Sequence, residues 1–189
     1  MKIVLGSASS RRKTVLKEMG YKFEVVTADI DEKTIRRDDS KELVLAIANA
    51  KSDALLPKVP NDALLITADT VVLFEGRILE KPQSEEDAYS VLESYKDKFA
   101  QVITAVVVTN TTTGKRSEGV DTARISFEPM PRKIVKDFVE SKRALEGAGS
   151  FVINDPLIRS LVRKIEGTFD SIMGLPKNLV QKLIDQVSK

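Results

Sequence analysis

The sequence predicts an α/β protein with a mixed central sheet and helices on both of its faces. Three observations carry that expectation. The apolar run Ile3-Val4-Leu5 passes through a Gly/Ser-rich turn into Lys13 to Met19, where Val15, Leu16 and Met19 share one helical face, so the chain opens as a strand followed by a helix. Farther on, Val71-Val72-Leu73-Phe74 and Ile78-Leu79 flank Glu75-Gly76, the signature of a tight hairpin. Strand–helix units and hairpins alternate along the chain, which excludes a simple doubly wound sheet and asks for a mixed one.

The elements follow in order. Gly20 is placed to stop the first helix, and Phe23 to Val26 reads as a second strand, followed by the acidic loop Asp29-Ile30-Asp31-Glu32. Ser40 is placed to cap a helix running to about Leu56, with Leu43, Ile47, Ala50 and Ala54 as its apolar stripe. Lys51 lies at the margin of that stripe, where a lysine lays its stem on the core and lifts its ammonium outward, either to solvent or into a cleft. Leu64 to Thr67 is a buried strand that meets Ala68-Asp69-Thr70 before the apolar run resumes. Ser84-Glu85-Glu86-Asp87 has the form of a capping box. Ala100 to Thr109 is a long strand, Thr111 to Gly114 turns it, and Gly119 to Phe127 returns. Pro131 opens a helix. Gly147 to Ser150 reads as a flexible link, Phe151-Val152-Ile153 as a short strand, and Ile158 to Ile165 as another. A last helix begins at Pro176 and turns Leu179, Val180, Leu183, Ile184 and Val187 inward.

Composition narrows the chemistry. A chain of 189 residues suggests one domain, residues 1–189, with room for two lobes. It has no cysteine and no histidine, which excludes disulfides, thiol catalysis, His- or Cys-based zinc sites and a Ser-His-Asp triad. The base of an enzyme built from this chain is then a carboxylate or a lysine, and its metal a hard cation held by oxygen, such as Mg²⁺. A net charge of +2 gives no field for non-specific nucleic-acid binding. With neither a leader-like N-terminus nor a membrane-length apolar run, a cytoplasmic protein is expected.

Two stretches carry the candidate site. In Gly6-Ser7-Ala8-Ser9-Ser10-Arg11-Arg12, hydroxyls and two arginines gather at a helix start, a place that attracts anions. Arginine is unfavourable at the positive end of a helix dipole unless negative charge is brought there. The plainer reading is a serine-capped surface helix. In the second stretch Asp69 sits between the most apolar runs of the chain, where an unpaired carboxylate is costly, so it needs an ion-pair partner, a metal or a catalytic task. Arg11, Arg12, Lys51 and Lys81 with Asp31, Glu32 and Asp69 make a set of basic and acidic groups suited to a polyphosphate and a divalent cation.

With these motifs the chain resembles the Maf family of nucleotide pyrophosphatases, relatives of the inosine triphosphatase-like fold. The resemblance runs from end to end: Ser7 to Arg12, Asp31-Glu32, Ala48-Asn49-Ala50-Lys51, Ala68 to Val72, Gly76 to Pro82, Thr104-Ala105-Val106 and Gly174-Leu175-Pro176. It implies two lobes around a cleft, and hydrolysis of a nucleoside triphosphate between its α- and β-phosphates. A divalent cation (Mg²⁺, Mn²⁺ or Co²⁺) and a homodimer are implied too, with neither nucleic acid nor membrane as partner. Ala68-Asp69-Thr70, where another branch reads S-D-Q, implies dTTP and UTP as preferred substrates, within nucleotide-pool house-cleaning and arrest of cell division. The roles implied are Asp69, Lys51 and Lys81 as catalytic; Ser7, Ser9, Arg11, Arg12, Glu32, Thr70 and Asn154 as substrate-binding; and Glu32 and Asp69 as metal ligands. The chain departs from many members at Ile153-Asn154-Asp155, where they read I-Q-G; Asn154 offers an amide of shorter reach. The rival expectations are a pyrophosphatase for non-canonical purine or 7-methyl-GTP substrates, and a nucleotide-binding division regulator that needs no turnover.

Overall fold

A computed structural model describes residues 1–96 and 98–189. The strands are β1 (Lys2–Leu5), β2 (Phe23–Val25), β3 (Ala63–Phe74), β4 (Arg77–Leu79), β5 (Ala100–Asn110), β6 (Arg116–Phe127) and β7 (Val162–Glu166). The helices are α1 (Ser10–Glu18), α2 (Ser40–Leu55), α3 (Glu85–Ser94), α4 (Arg132–Glu140), α5 (Pro156–Ser160), α6 (Phe169–Ile172) and α7 (Lys177–Val187). One seven-stranded sheet runs β2-β1-β3-β5-β6-β7, with β4 paired to β3. β1 is parallel to β2 and β3, whereas β3–β4 and β6–β7 are antiparallel, so the sheet is mixed as expected. Among the described residues no helix is long and apolar enough to cross a membrane. The chain divides into two compact units: Met1–Thr70, Ile103–Asp121 and Gly174–Lys189 form the first, Val71–Val102 and Thr122–Met173 the second.

In the first unit β1 pairs Val4 with Leu65 and Leu5 with Ile66 of β3, all fully buried. Gly6 continues this pairing, its N–H donating to the Ile66 carbonyl at 2.8 Å. A Cβ at Gly6 would stand 2.6 Å from the Thr67 side chain and 2.7 Å from that of Leu55, so only glycine lets the turn leave the strand here. Gly20, at φ +83°, ends α1 as anticipated. The cap of α2 is Asp39, one residue before the expected Ser40: its Oδ1 accepts from the amides of Lys41 and Glu42, and Ser40 is buried as the first helical residue. Val44, Ala48 and Leu55 are fully buried on α2, while Ala50 and Ala54 of the expected stripe are only half-buried. The C-terminal end of α7 is held by Asn110, whose amide donates to the Val187 carbonyl at 2.9 Å.

In the second unit Tyr95 is the hub of an aromatic cluster, with ring centroids 4.9 Å from Phe74, 5.3 Å from Phe127 and 5.9 Å from Phe151. Its hydroxyl donates to the Gly149 carbonyl, and the Gly149 N–H donates to the Glu80 carbonyl. The Glu75-Gly76 hairpin is as expected, with φ of +48° and +77° at its two turn residues. Ser84 caps α3 through the Asp87 amide, and Asp87 reaches back to the Gln83 amide rather than to that of Ser84.

The stretch 147–166 departs from expectation. Gly147 to Ser150 carries a 3₁₀ turn (Ala148–Ser150), Phe151 to Ile153 is not a strand, and the segment expected as a strand from Ile158 is instead α5 followed by β7. The cause is local. Asp155 accepts from the Leu157 amide as an N-cap and Pro156 takes the first helical position, a strong start signal that overrides the apolar content after it. Pro131 likewise stands at the N-cap of α4, one place before the first helical residue.

Gly149 and Gly76 both have positive φ but differ in surroundings: a Cβ at Gly149 would come to 2.5 Å from the Tyr95 oxygen, whereas one at Gly76 meets nothing within 4 Å. Gly76→Ala is expected to cost about 1–2 kcal/mol of unfolding free energy from backbone strain alone. Gly149→Ala, with overpacking added, is expected to cost about 2–5 kcal/mol. Urea titration of both variants checks the order.

Candidate active site

Asp69 lies within β3, its side chain 10% exposed, and Lys51 comes to it from the fourth turn of α2, its side chain 12% exposed. Lys51 Nζ is 2.8 Å from Asp69 Oδ1 and 3.1 Å from Glu32 Oε1. Glu32 begins the 3₁₀ turn Glu32–Thr34 in the acidic loop, and its side chain is half exposed. The ammonium is thus shared by a fixed carboxylate on a strand and one on an exposed turn.

Side chains of the sheet set the position of α2 and hence of Lys51. Thr67, two residues before Asp69, donates its hydroxyl to the Ala48 carbonyl at 2.8 Å. Arg116 of β6 donates to Asn49 Oδ1 at 3.0 Å, to Asp53 Oδ1 at 2.6 Å and to Thr109 Oγ1 at 3.2 Å.

Arg12, expected among the substrate-binding residues, is held by contacts within the protein. Its guanidinium is buried and donates to four protein acceptors: the Gly174 carbonyl at 2.9 Å, Ser7 Oγ at 3.2 Å, the Ala68 carbonyl at 2.8 Å and Thr70 Oγ1 at 2.9 Å. Ala68 and Thr70 bracket Asp69, so one side chain ties the serine turn, both neighbours of the aspartate and the Gly174 backbone together. Burial pulls the guanidinium below its ordinary pKa, Asp69 and then Glu32 act against that pull, and Arg11 adds to it. Arginine remains charged after such a shift. The negative charge that an arginine in the first helical turn calls for therefore comes in part from the protein's own carboxylates. Ser9 serves as the N-cap of α1, accepting from the Arg12 amide at 3.4 Å, but that arginine is buried, where a plain surface helix would leave it solvated. Arg11 is half-buried beside it.

Ser7, Ser9, Arg11, Arg12, Glu32, Lys51, Asp69 and Thr70 all belong to the first unit. Lys81 and Asn154 belong to the second. There Lys81, with Glu80, Gln83 and Asp87, forms the polar edge of a hollow of about 260 Å³ whose apolar wall includes Ile78, Leu79 and Val91. Asn154 is exposed, and the acid beside it is used structurally: Asp155 caps α5 and pairs with Arg143.

A family model described as Maf-like protein matches residues 2–187. The chain belongs to the Maf family. Among curated members it is 36% identical to the 7-methyl-GTP pyrophosphatase of Dictyostelium discoideum, over 99% of this chain and 98% of that one. It is 33% identical to the dTTP/UTP pyrophosphatase of Vibrio vulnificus (strain YJ016), over 98% of each chain. It is 35% identical to the dTTP/UTP pyrophosphatase of Acholeplasma laidlawii, over 97% of this chain and 95% of that one.

In this Maf chain, the residues to which sequence reasoning gave no role in the site are those that hold the others. Thr104 of β5 shares a 2.9 Å hydrogen bond with Thr70, and Gly174 accepts from Arg12 with φ +83° and no room for a Cβ against Thr70 Oγ1. Thr104 was visible as a polar residue in an apolar run. Arg116 carried no signal, because a lone arginine after a turn reads as solvated.

Arg12→Lys is the sharpest test of the buried fork. A lysine has a single nitrogen and cannot reproduce the planar donor set. The variant is expected to lose about 2–4 kcal/mol of stability in thermal or denaturant unfolding, since buried hydrogen bonds from a charged group are each worth about 1.5–3 kcal/mol.

Proposed function

We propose that this chain is a nucleoside triphosphate pyrophosphatase that hydrolyses the α–β phosphoanhydride bond, releasing a nucleoside monophosphate and pyrophosphate, with dTTP and UTP preferred. The observation that carries this reading is the Asp69 carboxylate, nearly buried, held 2.8 Å from Lys51 and bracketed by the two Arg12 anchors at Ala68 and Thr70. Support comes from the family membership and from the pyrophosphatase names of the relatives.

The donor set fits a hard divalent cation. Glu32 and Asp69 both lie within reach of one ammonium, and both are oxygen donors. Two protein oxygens would leave the rest of the coordination of such an ion to substrate phosphates and water. When bound, such an ion supplies neutralisation of phosphate charge.

The chain's own residues do the rest. Asp69 takes the proton of the attacking water on its carboxylate. Lys51 and Arg11 neutralise phosphate oxygens, and Ser7 and Ser9 border the turn that receives them. Arg12 and Thr70 act by holding that turn and Asp69 in register. Lys81 and Asn154 are assigned to leaving-group charge and base recognition on the resemblance alone. Mg²⁺ as the ion and a homodimer as the working form rest on the same ground, and a cytoplasmic location on the apolar pattern of the sequence.

A second reading, 7-methyl-GTP as substrate, is favoured by the 36% identity to the Dictyostelium enzyme. Ala68-Asp69-Thr70 favours the pyrimidine branch. Pyrophosphate release measured over dTTP, UTP, 7-methyl-GTP, dITP and XTP, each with Mg²⁺, Mn²⁺ and Co²⁺, decides between them. At least tenfold higher kcat/KM for dTTP or UTP is expected. A 7-methyl-GTP preference selects the second reading, and no pyrophosphate with any pair removes both.

A further inference from the structure

The single ammonium between two carboxylates has a consequence for the order in which metal and nucleotide bind, and the inference rests on the function proposed above. Lys51 Nζ is in contact with Glu32 Oε1 and Asp69 Oδ1 together. These are the two carboxylate oxygens that the ammonium joins, and among the described residues no group of three or more acidic side chains offers another place. A divalent ion at the pair would stand beside the ammonium in a nearly buried setting, where like charges repel strongly. The two cations cannot both be held there.

We propose that in the free protein the Lys51 ammonium holds the place of the divalent cation, so that metal is admitted only with a triphosphate whose oxygens draw the ammonium away. The species the site accepts is then the metal–nucleotide complex. Neither free metal nor free nucleotide fits as well alone. The parts differ in freedom as this requires. Asp69 is fixed in β3 between the two anchors of Arg12. Arg12 is anchored on four acceptors and is fixed in place. Lys51 is a point charge on a flexible stem, and Glu32 sits half exposed on a short turn, so these two can rearrange.

The test is Mn²⁺ affinity by isothermal titration calorimetry on the full chain, in wild type and Lys51→Met, with and without the non-hydrolysable α,β-methylene dTTP. In wild type the analogue should tighten Mn²⁺ binding at least tenfold. Without nucleotide, Lys51→Met should bind Mn²⁺ at least tenfold more tightly than wild type, and adding Asp69→Asn to it should abolish that gain. Removing the lysine leaves a carboxylate unpaired, so Lys51→Gln is read alongside, and thermal unfolding is recorded with millimolar Mn²⁺. The ion should raise the unfolding temperature of both variants more than that of wild type. Equal Mn²⁺ affinity in variant and wild type overturns the proposal, as does failure of both variants to fold even with Mn²⁺, since a cation at the carboxylates should replace the lost ammonium. Pyrophosphate release by wild type is scored separately: turnover together with unchanged Mn²⁺ affinity in Lys51→Met defeats the placeholder and leaves the enzymatic reading standing.

Discussion

A carboxylate within a buried strand is tolerable only with a partner, and the first unit is arranged around supplying one to Asp69. Apolar runs lie on both sides of it along β3, at Leu64 to Ile66 and at Val71 to Phe74, and the parallel pairing of β1 against Ala63 to Ile66 removes water from the first half of the strand. Lys51 answers the charge at 2.8 Å. Removing one member of such a pair typically costs about 3–5 kcal/mol, while replacing both with apolar residues is often neutral. Stability alone therefore does not require the pair. A charged couple retained where hydrophobic side chains would serve as well points to chemistry at Asp69.

The pair imposes requirements on what surrounds it. Helix α2 must present Lys51 at one height and rotation, which Thr67 and Arg116 secure from the sheet side. The backbone on both sides of Asp69 must be held still, which Arg12 does through Ala68 and Thr70. Arg12 in turn needs a close carbonyl, and Gly174 supplies it because its positive φ and missing Cβ let the chain pass against Thr70. The Gly-Leu-Pro motif far along the sequence is in this way part of the support for the aspartate.

Much of this was legible in the sequence. The strand, serine turn and helix at the start, the Glu75-Gly76 hairpin, the buried aspartate and the marginal lysine all announce themselves through spacing and polarity. The burial of Arg12 was legible too: Arg12, Val15 and Leu16 recur at helical spacing, and all three are buried on α1. What periodicity does not carry is long-range closure, such as Arg12 to Gly174 or Arg116 to Asn49, since nothing near either arginine in sequence names its acceptor. The region from 147 to 166 was misread for the opposite reason. Its short apolar runs fit strand and helix equally, and the cap-and-proline signal of Asp155-Pro156 was passed over.

The central claim, that Asp69 is kept charged and nearly buried for catalysis, is tested most directly by Asp69→Asn, an isosteric change that removes the base. The predicted result is an unchanged circular dichroism spectrum together with a kcat lowered about 10²–10⁴-fold, the usual contribution of a positioned general base. A folded Asp69→Asn protein that releases pyrophosphate at near the wild-type rate would contradict it.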